Sequence, residues 1–201
     1  MPQDAIQEYH NLAAQLNSVE LVWRDRQEYL ESRGYLLRSR YKPGWTASWK
    51  LDPTIKPSRA EDFPQAYVST KTSSVINNVL NPLYQLLRPH LMDATRISDG
   101  KLVILKRINA DSAELKIAMH FSSRTMREDP RNHCVPVLDV VPDKDDPNKC
   151  FVVMPFLRYV DYPPFESIQS MLNCGEQLLE VRFIPMQVTM PDHKSGSCFS
   201  S

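Results

Sequence analysis

Asp99-Gly100 stands between two runs that alternate as strands do, Leu91–Ile97 and Leu102–Ile108. That dipeptide between such runs is a strong hairpin signal, because glycine accepts the positive φ that a tight turn demands. A lone hairpin is marginal in water. The chain is therefore obliged to extend the hairpin into a sheet and to cover it.

Downstream residues supply the extension. Residues 111–123 read as a short helix, with Ser112 a candidate N-cap. Asp129-Pro130-Arg131-Asn132 marks a turn, and Val135–Val141 reads as a strand. Asp143–Lys149 is a charged hairpin tip, and Cys150–Phe156 is a strongly apolar strand. Pro163-Pro164 opens a helix over about 165–180, with Ile168, Met171, Leu172, Leu178 and Leu179 at its apolar positions. The order after residue 90 is strand, strand, helix, strand, strand, helix. The predicted fold class is α+β, an antiparallel sheet with one helix inserted.

Upstream, residues 4–33 read as helix, from Leu12, Leu16, Val19, Val22, Trp23 and Leu30 at three- and four-residue steps. Gly34 is the natural stop. Residues 35–45 mix aromatics with cations and end in a Pro-Gly turn. Pro53, Pro57 and Pro64 give 50–65 the look of a surface linker. Residues 73–90 read as a further helix, interrupted by Pro82.

Composition narrows the function classes. Of 201 residues 42% are hydrophobic, enough for a core. Lys plus Arg and Asp plus Glu balance at 24 each, so no general electrostatic drive toward nucleic acid or an anionic membrane is expected. No apolar run approaches the roughly 20 residues of a membrane-spanning helix, and Met1-Pro2-Gln3-Asp4 lacks a secretory pattern. Cys134, Cys150, Cys174 and Cys198 form no CxxC pair and no zinc-ligand spacing. Free thiols point to a reducing compartment, cytoplasmic or nuclear.

Lys106 closes the run Val103-Ile104-Leu105-Lys106, and Glu114 follows eight positions later (114 − 106) at the start of the predicted helix. A strand lysine held by a helix carboxylate is how a protein-kinase small lobe anchors nucleotide phosphates. The bland alternatives are a solvated edge lysine and an acid that complements a helix dipole. Phe151–Leu157 then resembles a last small-lobe strand running into a hinge. Met154 is placed to gate the pocket, and Pro155, Phe156 and Leu157 to present backbone to an adenine edge. The alternative for that stretch is an ordinary buried strand.

Other expected parts are missing from the 201 residues. There is no G-x-G-x-x-G before the Lys106 strand, no H-R-D and no D-F-G. Asn132-His133-Cys134 is not a catalytic Cys–His pair, because adjacent strand residues point to opposite faces.

Residues 20–180 resemble the N-terminal half of the protein-kinase-like domain of large fungal, mainly basidiomycete, families. The resemblance is carried by Trp23-Arg24-Asp25-Arg26, Arg33-Gly34-Tyr35-Leu36-Leu37-Arg38-Ser39-Arg40-Tyr41, Trp45 and Ser48-Trp49. It continues through Asp93-Ala94-Thr95-Arg96, Val103–Ile108, Asp129–Pro136, Val153–Arg158 and Cys174–Glu180. It implies an N-terminal extension and linker over 1–65, a small lobe over 66–160 and the first large-lobe helix over 161–180. Residues 181–201 are expected to be an unrelated, disordered tail. It implies ATP as ligand, weak or absent in this chain, with Lys106, Glu114, Met154, Pro155, Phe156 and Leu157 as its contacts. Roughly millimolar affinity, about 4 kcal/mol, is expected. Phosphoryl transfer is not expected, since the catalytic loop is not reached. The alternatives are a non-catalytic module that binds a protein partner and a gene-model fragment.

Overall fold

A computed structural model describes residues 3–64, 89–157 and 166–188. Most of the helix expected over 73–90 lies outside the described residues; Pro89 and His90 form a turn. Pro163-Pro164 and residues 189–201 also lie outside them. The chain divides into two compact units, residues 1–112 with 138–156, and residues 113–137 with 157–201.

The first unit is an antiparallel five-stranded sheet with helices ahead of it. The single helix expected over 4–33 is three helices, α1 (Gln3–Ala13), α2 (Ser18–Arg24) and α3 (Gln27–Ser32). The break before α2 has a local cause. Asn17 accepts from the N–H groups of Val19 and Glu20, and Glu20 accepts from the Asn17 N–H at 3.0 Å. That reciprocal box satisfies donors a helix start leaves orphaned and fixes a new N-terminus. Gly34 ends α3 with φ +92°, a left-handed cap no β-carbon tolerates well.

The strands are β1 (Tyr35–Leu36), β2 (Leu91–Arg96), β3 (Leu102–Asn109), β4 (Asp139–Pro142) and β5 (Lys149–Pro155), in the order β1-β2-β3-β5-β4. The Asp99-Gly100 hairpin is where it was expected, with Gly100 at φ +69°. The strand expected over 135–141 is shorter and later, because only Asp139–Pro142 pairs along β5. Leu138 joins the ladder through a single bond to Val153 O at 2.8 Å.

Side chains alternate along each strand. Met92, Ala94, Val103, Leu105, Val141, Phe151 and Val153 form one buried face. Trp23, Leu30, Tyr35, Leu37 and Tyr41 close it from the N-terminal segment. Each large side chain in that layer contributes roughly 1.5–3 kcal/mol by leaving water.

The described part of the expected linker, residues 50–64, is not wholly a surface segment. Short helix α4 (Ser48–Leu51) and a 3₁₀ turn at Pro57–Arg59 fold into a second core of Ala13, Ala47, Trp49, Ala60 and Phe63. Its cement is Asp62, 4% exposed. Its carboxylate accepts from Trp45 Nε1 (2.8 Å), Ser48 N (2.8 Å) and Ser48 Oγ (2.6 Å). The prolines set turns between buried residues, which composition does not distinguish from an exposed linker.

The second unit holds α5 (Ala113–Phe121), α6 (Arg124–Arg127) and α7 (Ile168–Val188). The helix expected over 165–180 continues through Val188, so residues 181–188 are helical rather than a disordered tail. Val181-Arg182-Phe183-Ile184 supplies no stop signal, and the helix runs past Pro185, a residue that ordinarily ends or kinks one. Among the described residues no helix is long and apolar enough to cross a membrane.

Candidate functional site

Lys106 lies on β3, the third strand in chain order, and is half-buried. It faces away from the apolar core, sharing its face with Leu102, Ile104 and Ile108. Its cross-strand neighbours are Leu91 on β2 and Val152 on β5. One step along that face, Ile104 stands between Asp93 and Met154. A further step places Leu102 beside Thr95, which in turn pairs with Leu36. Lys106, Asp93, Thr95 and Met154 thus share one face of one sheet.

At the end of β5, Pro155 pairs with Val103, and the Phe156 N–H donates to Leu102 O at 3.3 Å. Pro155 and Phe156 therefore leave the sheet beside β3. Glu114 and Leu157 belong to the second unit. Glu114 is in the first turn of α5 and exposed, and Leu157 is 58% exposed. Of the six residues singled out in the sequence, the sheet brings together Lys106, Met154, Pro155 and Phe156.

Beside this face is a cleft of about 190 Å³. It opens where the chain leaves β1 after Leu36, so that the edge of β2 at Asp93 and Ala94 lies beyond the β1 pairing. Leu36, Leu102 and Ala94 give it apolar surface, while Ser39, Thr95 and Asp93 give it polar surface. Arg38 Nε sits 3.1 Å from Asp93 Oδ2, with the two side chains 7% and 15% exposed. Arg38 also donates from Nη1 to Phe63 O at 3.2 Å, which ties the cleft wall to the second core. Sequence reasoning assigned no role to Arg38 or Asp93. The available signal was one acid within the alternating run Leu91-Met92-Asp93-Ala94-Thr95.

Two buried charge clusters frame the unit without belonging to the cleft. Arg40 donates to both Glu20 oxygens, at 2.6 and 3.0 Å, and to the carbonyls of Ala13 and Gln15, both at 2.7 Å. Asp143 accepts from Arg26 and Arg107, each at 2.8 Å. Burial opposes Asp143 ionisation, but the bonds from Arg26, the Asp145 N–H and Arg107 outweigh it and hold the carboxyl below its ordinary range. Tyr35 donates to Asp139 Oδ2 at 2.9 Å, and burial with that bond pushes its phenol up to about 12.

In the second unit Asn132 donates to Phe121 O (2.9 Å) and Met126 O (2.8 Å) and accepts from the Cys134 N–H. His133 Nε2 meets Glu180 of α7 at 2.7 Å. Burial pushes the Cys134 thiol up, with Arg127 opposing it, so the group is disfavoured as a nucleophile. The Asn132-His133-Cys134 string is structural. Among the described residues no His, Cys, Asp and Glu cluster could hold a metal ion.

Comparison with protein-family models, curated proteins and solved structures gives no match to this chain.

Proposed function

We propose that the first unit is a kinase-like small lobe that holds a nucleotide weakly on its Lys106 face and does no phosphoryl transfer with these residues. The carrying observation is the register: Lys106 on the third strand, away from the core, with Met154 one step along the same face and Phe156 leaving the strand beside it. The five-stranded antiparallel sheet, with helices α5 and α6 between β3 and β4 in chain order, supports the same reading. Lys106 supplies a phosphate contact as a point charge. No other part of a phosphoryl-transfer site, neither a catalytic aspartate motif nor a glycine loop, is written in these residues.

The test is ³¹P line broadening of ATP titrated with the protein and with Lys106→Ala. Millimolar binding that weakens at least tenfold in the variant is expected. Equal binding by both proteins would sink the reading.

A second reading, an interaction module, draws on α7. Ile168, Met171, Leu172, Leu178 and Leu179 are between 51% and 75% exposed, an apolar series a protein partner could cover. Cross-linking at Cys174 would test it; capture of no partner would count against it.

A further inference from the structure

Gly175 sits in the interior of α7, where glycine weakens a helix relative to alanine. Its φ is not positive. A β-carbon placed on it would meet nothing within 4 Å. Neither backbone conformation nor packing within the described residues calls for a glycine here. What glycine does supply is a notch that lets a second backbone approach closely.

The notch is the midpoint of an exposed apolar stripe. Met171 and Leu172 precede Gly175 by four and three residues, and Leu178 and Leu179 follow it by three and four. At about 3.6 residues per turn these positions and Ile168 share one helix face. Their large side chains are between 51% and 75% exposed. Among the described residues, the side-chain bond that ties α7 to another segment is Glu180 to His133 at 2.7 Å, and Glu180 stands off the stripe.

The chemistry of the stripe selects what covers it. Residues 166–180 contain no Lys or Arg, while Glu176 and Glu180 flank the apolar face. That disfavours an anionic lipid surface, which calls for cations beside the apolar positions. The stripe itself is uncharged, so packing it against its own copy buries no charge. About Gly175 the series also reads the same from either end, as a self-complementary two-fold interface requires. We propose that α7 pairs with α7 of a second copy of this chain, antiparallel and crossing at Gly175. In that register Met171 meets the partner's Leu179, and Leu172 meets the partner's Leu178. Opposed helix dipoles favour this direction over the parallel one. The inference rests on the second reading above, that α7 is an interaction surface, and names its occupant. One helix crossing buries less than the roughly 1,200–2,000 Å² of stable interfaces, so a Kd on the order of 10–100 μM is expected.

The experiment is sedimentation velocity of the full chain from about 5 to about 500 μM, a range that brackets that constant. A monomer–dimer equilibrium without larger species is expected, because a two-fold contact closes on itself. Leu178→Lys, with folding checked by circular dichroism, should weaken the dimer at least tenfold. Leu51→Lys alters a comparably exposed apolar residue in the other unit and should leave the dimer unchanged. Direction is read by disulfide trapping in a Cys174→Ser background. Mixing Met171→Cys with Leu179→Cys chains should give the mixed disulfide in excess over either like-with-like product. A dimer that survives Leu178→Lys, or an excess of like-with-like disulfide, overturns the crossing. A chain that stays monomeric while Cys174 cross-links a different protein sinks the second copy and leaves the interaction reading standing. A monomer that captures nothing sinks both.

Discussion

Replacing Arg40 by methionine should be among the most damaging single changes in this chain. Arg40 is 1% exposed and its partner Glu20 is 2% exposed. Its guanidinium spans Glu20, the carbonyls at the end of α1 and the Trp45 ring, 4.6 Å away. Methionine fills much of the volume and satisfies none of the acceptors. Glu20 would then remain buried as a charge, held only by the Asn17 N–H and the distant Tyr41 hydroxyl at 3.5 Å. Removing one partner of a buried pair costs about 3–5 kcal/mol. The two carbonyls each lose a charged donor, a further penalty that does not add in full. Against a typical total of about 5–15 kcal/mol, the variant should be marginal. Urea unfolding followed by tryptophan fluorescence measures it. Arg40→Met/Glu20→Leu removes the stranded charge and should be more stable than Arg40→Met alone. It should stay below wild type, because the Asn17 N–H loses its Glu20 acceptor, worth about 1 kcal/mol, and the carbonyls stay orphaned. A cost under about 1 kcal/mol for Arg40→Met, or a double variant weaker than the single, would refute the reasoning.

Other outcomes follow from the same geometry. Asp143 and Asp62 both have carboxyls held below the ordinary range, so their stabilising contribution is present above about pH 4 and is lost as pH falls through their lowered folded values. Asp143→Asn should therefore destabilise at pH 7 and flatten the acid limb of a stability–pH curve; an unchanged limb argues against Asp143 as a source of it. The Tyr35 phenol, pushed up to about 12, resists ionisation when folded, so stability should fall as pH rises from about 10. Ultraviolet difference titration should show Tyr35 ionising late, and Asp139→Asn should bring it earlier. Gly34→Ala, at φ +92°, should cost about 1–2 kcal/mol; a neutral result in thermal unfolding would mean α3 ends another way.

The hairpin, β5 and the placement of Lys106 were legible because alternation and an Asp-Gly turn are local signals. The N-terminal helices were legible as helix but not as three. The box that divides α1 from α2 needs Asn17 and Glu20 read as a pair, and an uninterrupted apolar stripe hides it. Buried charges were less legible. Arg40 and Asp143 look like surface residues until the fold brings Glu20, Arg26 and Arg107 to them. The cleft was least legible, because Arg38 and Asp93 are 55 positions apart (93 − 38) and meet only through β1–β2 pairing.

That long-range closure bears on whether the sheet can stand without the helices before it. Met92, Ala94, Val103, Leu105, Phe151 and Val153 present a continuous apolar layer, and Trp23, Leu30 and Tyr35 are what keep water off it. Trp23 packs on Phe151 with ring centroids 5.5 Å apart and donates its indole N–H to Pro89 O at 3.1 Å. Arg26 and Tyr29 fasten the same segment to Asp143 and to Pro142 O. Deleting residues 1–34 would strip Trp23, Arg26, Tyr29 and Leu30 at once and leave Tyr35. Each of Trp23 and Leu30 alone is worth about 3–5 and 2–5 kcal/mol on truncation to alanine, already comparable to a whole domain's stability. A chain beginning at Tyr35 should therefore bind hydrophobic dye, lose its near-ultraviolet dichroism and fail to show cooperative unfolding. Addition of a peptide spanning residues 3–34 should restore part of the signal. A truncated chain that unfolds cooperatively near the wild-type midpoint would mean that the sheet carries its own core and that the N-terminal helices are an ornament on it.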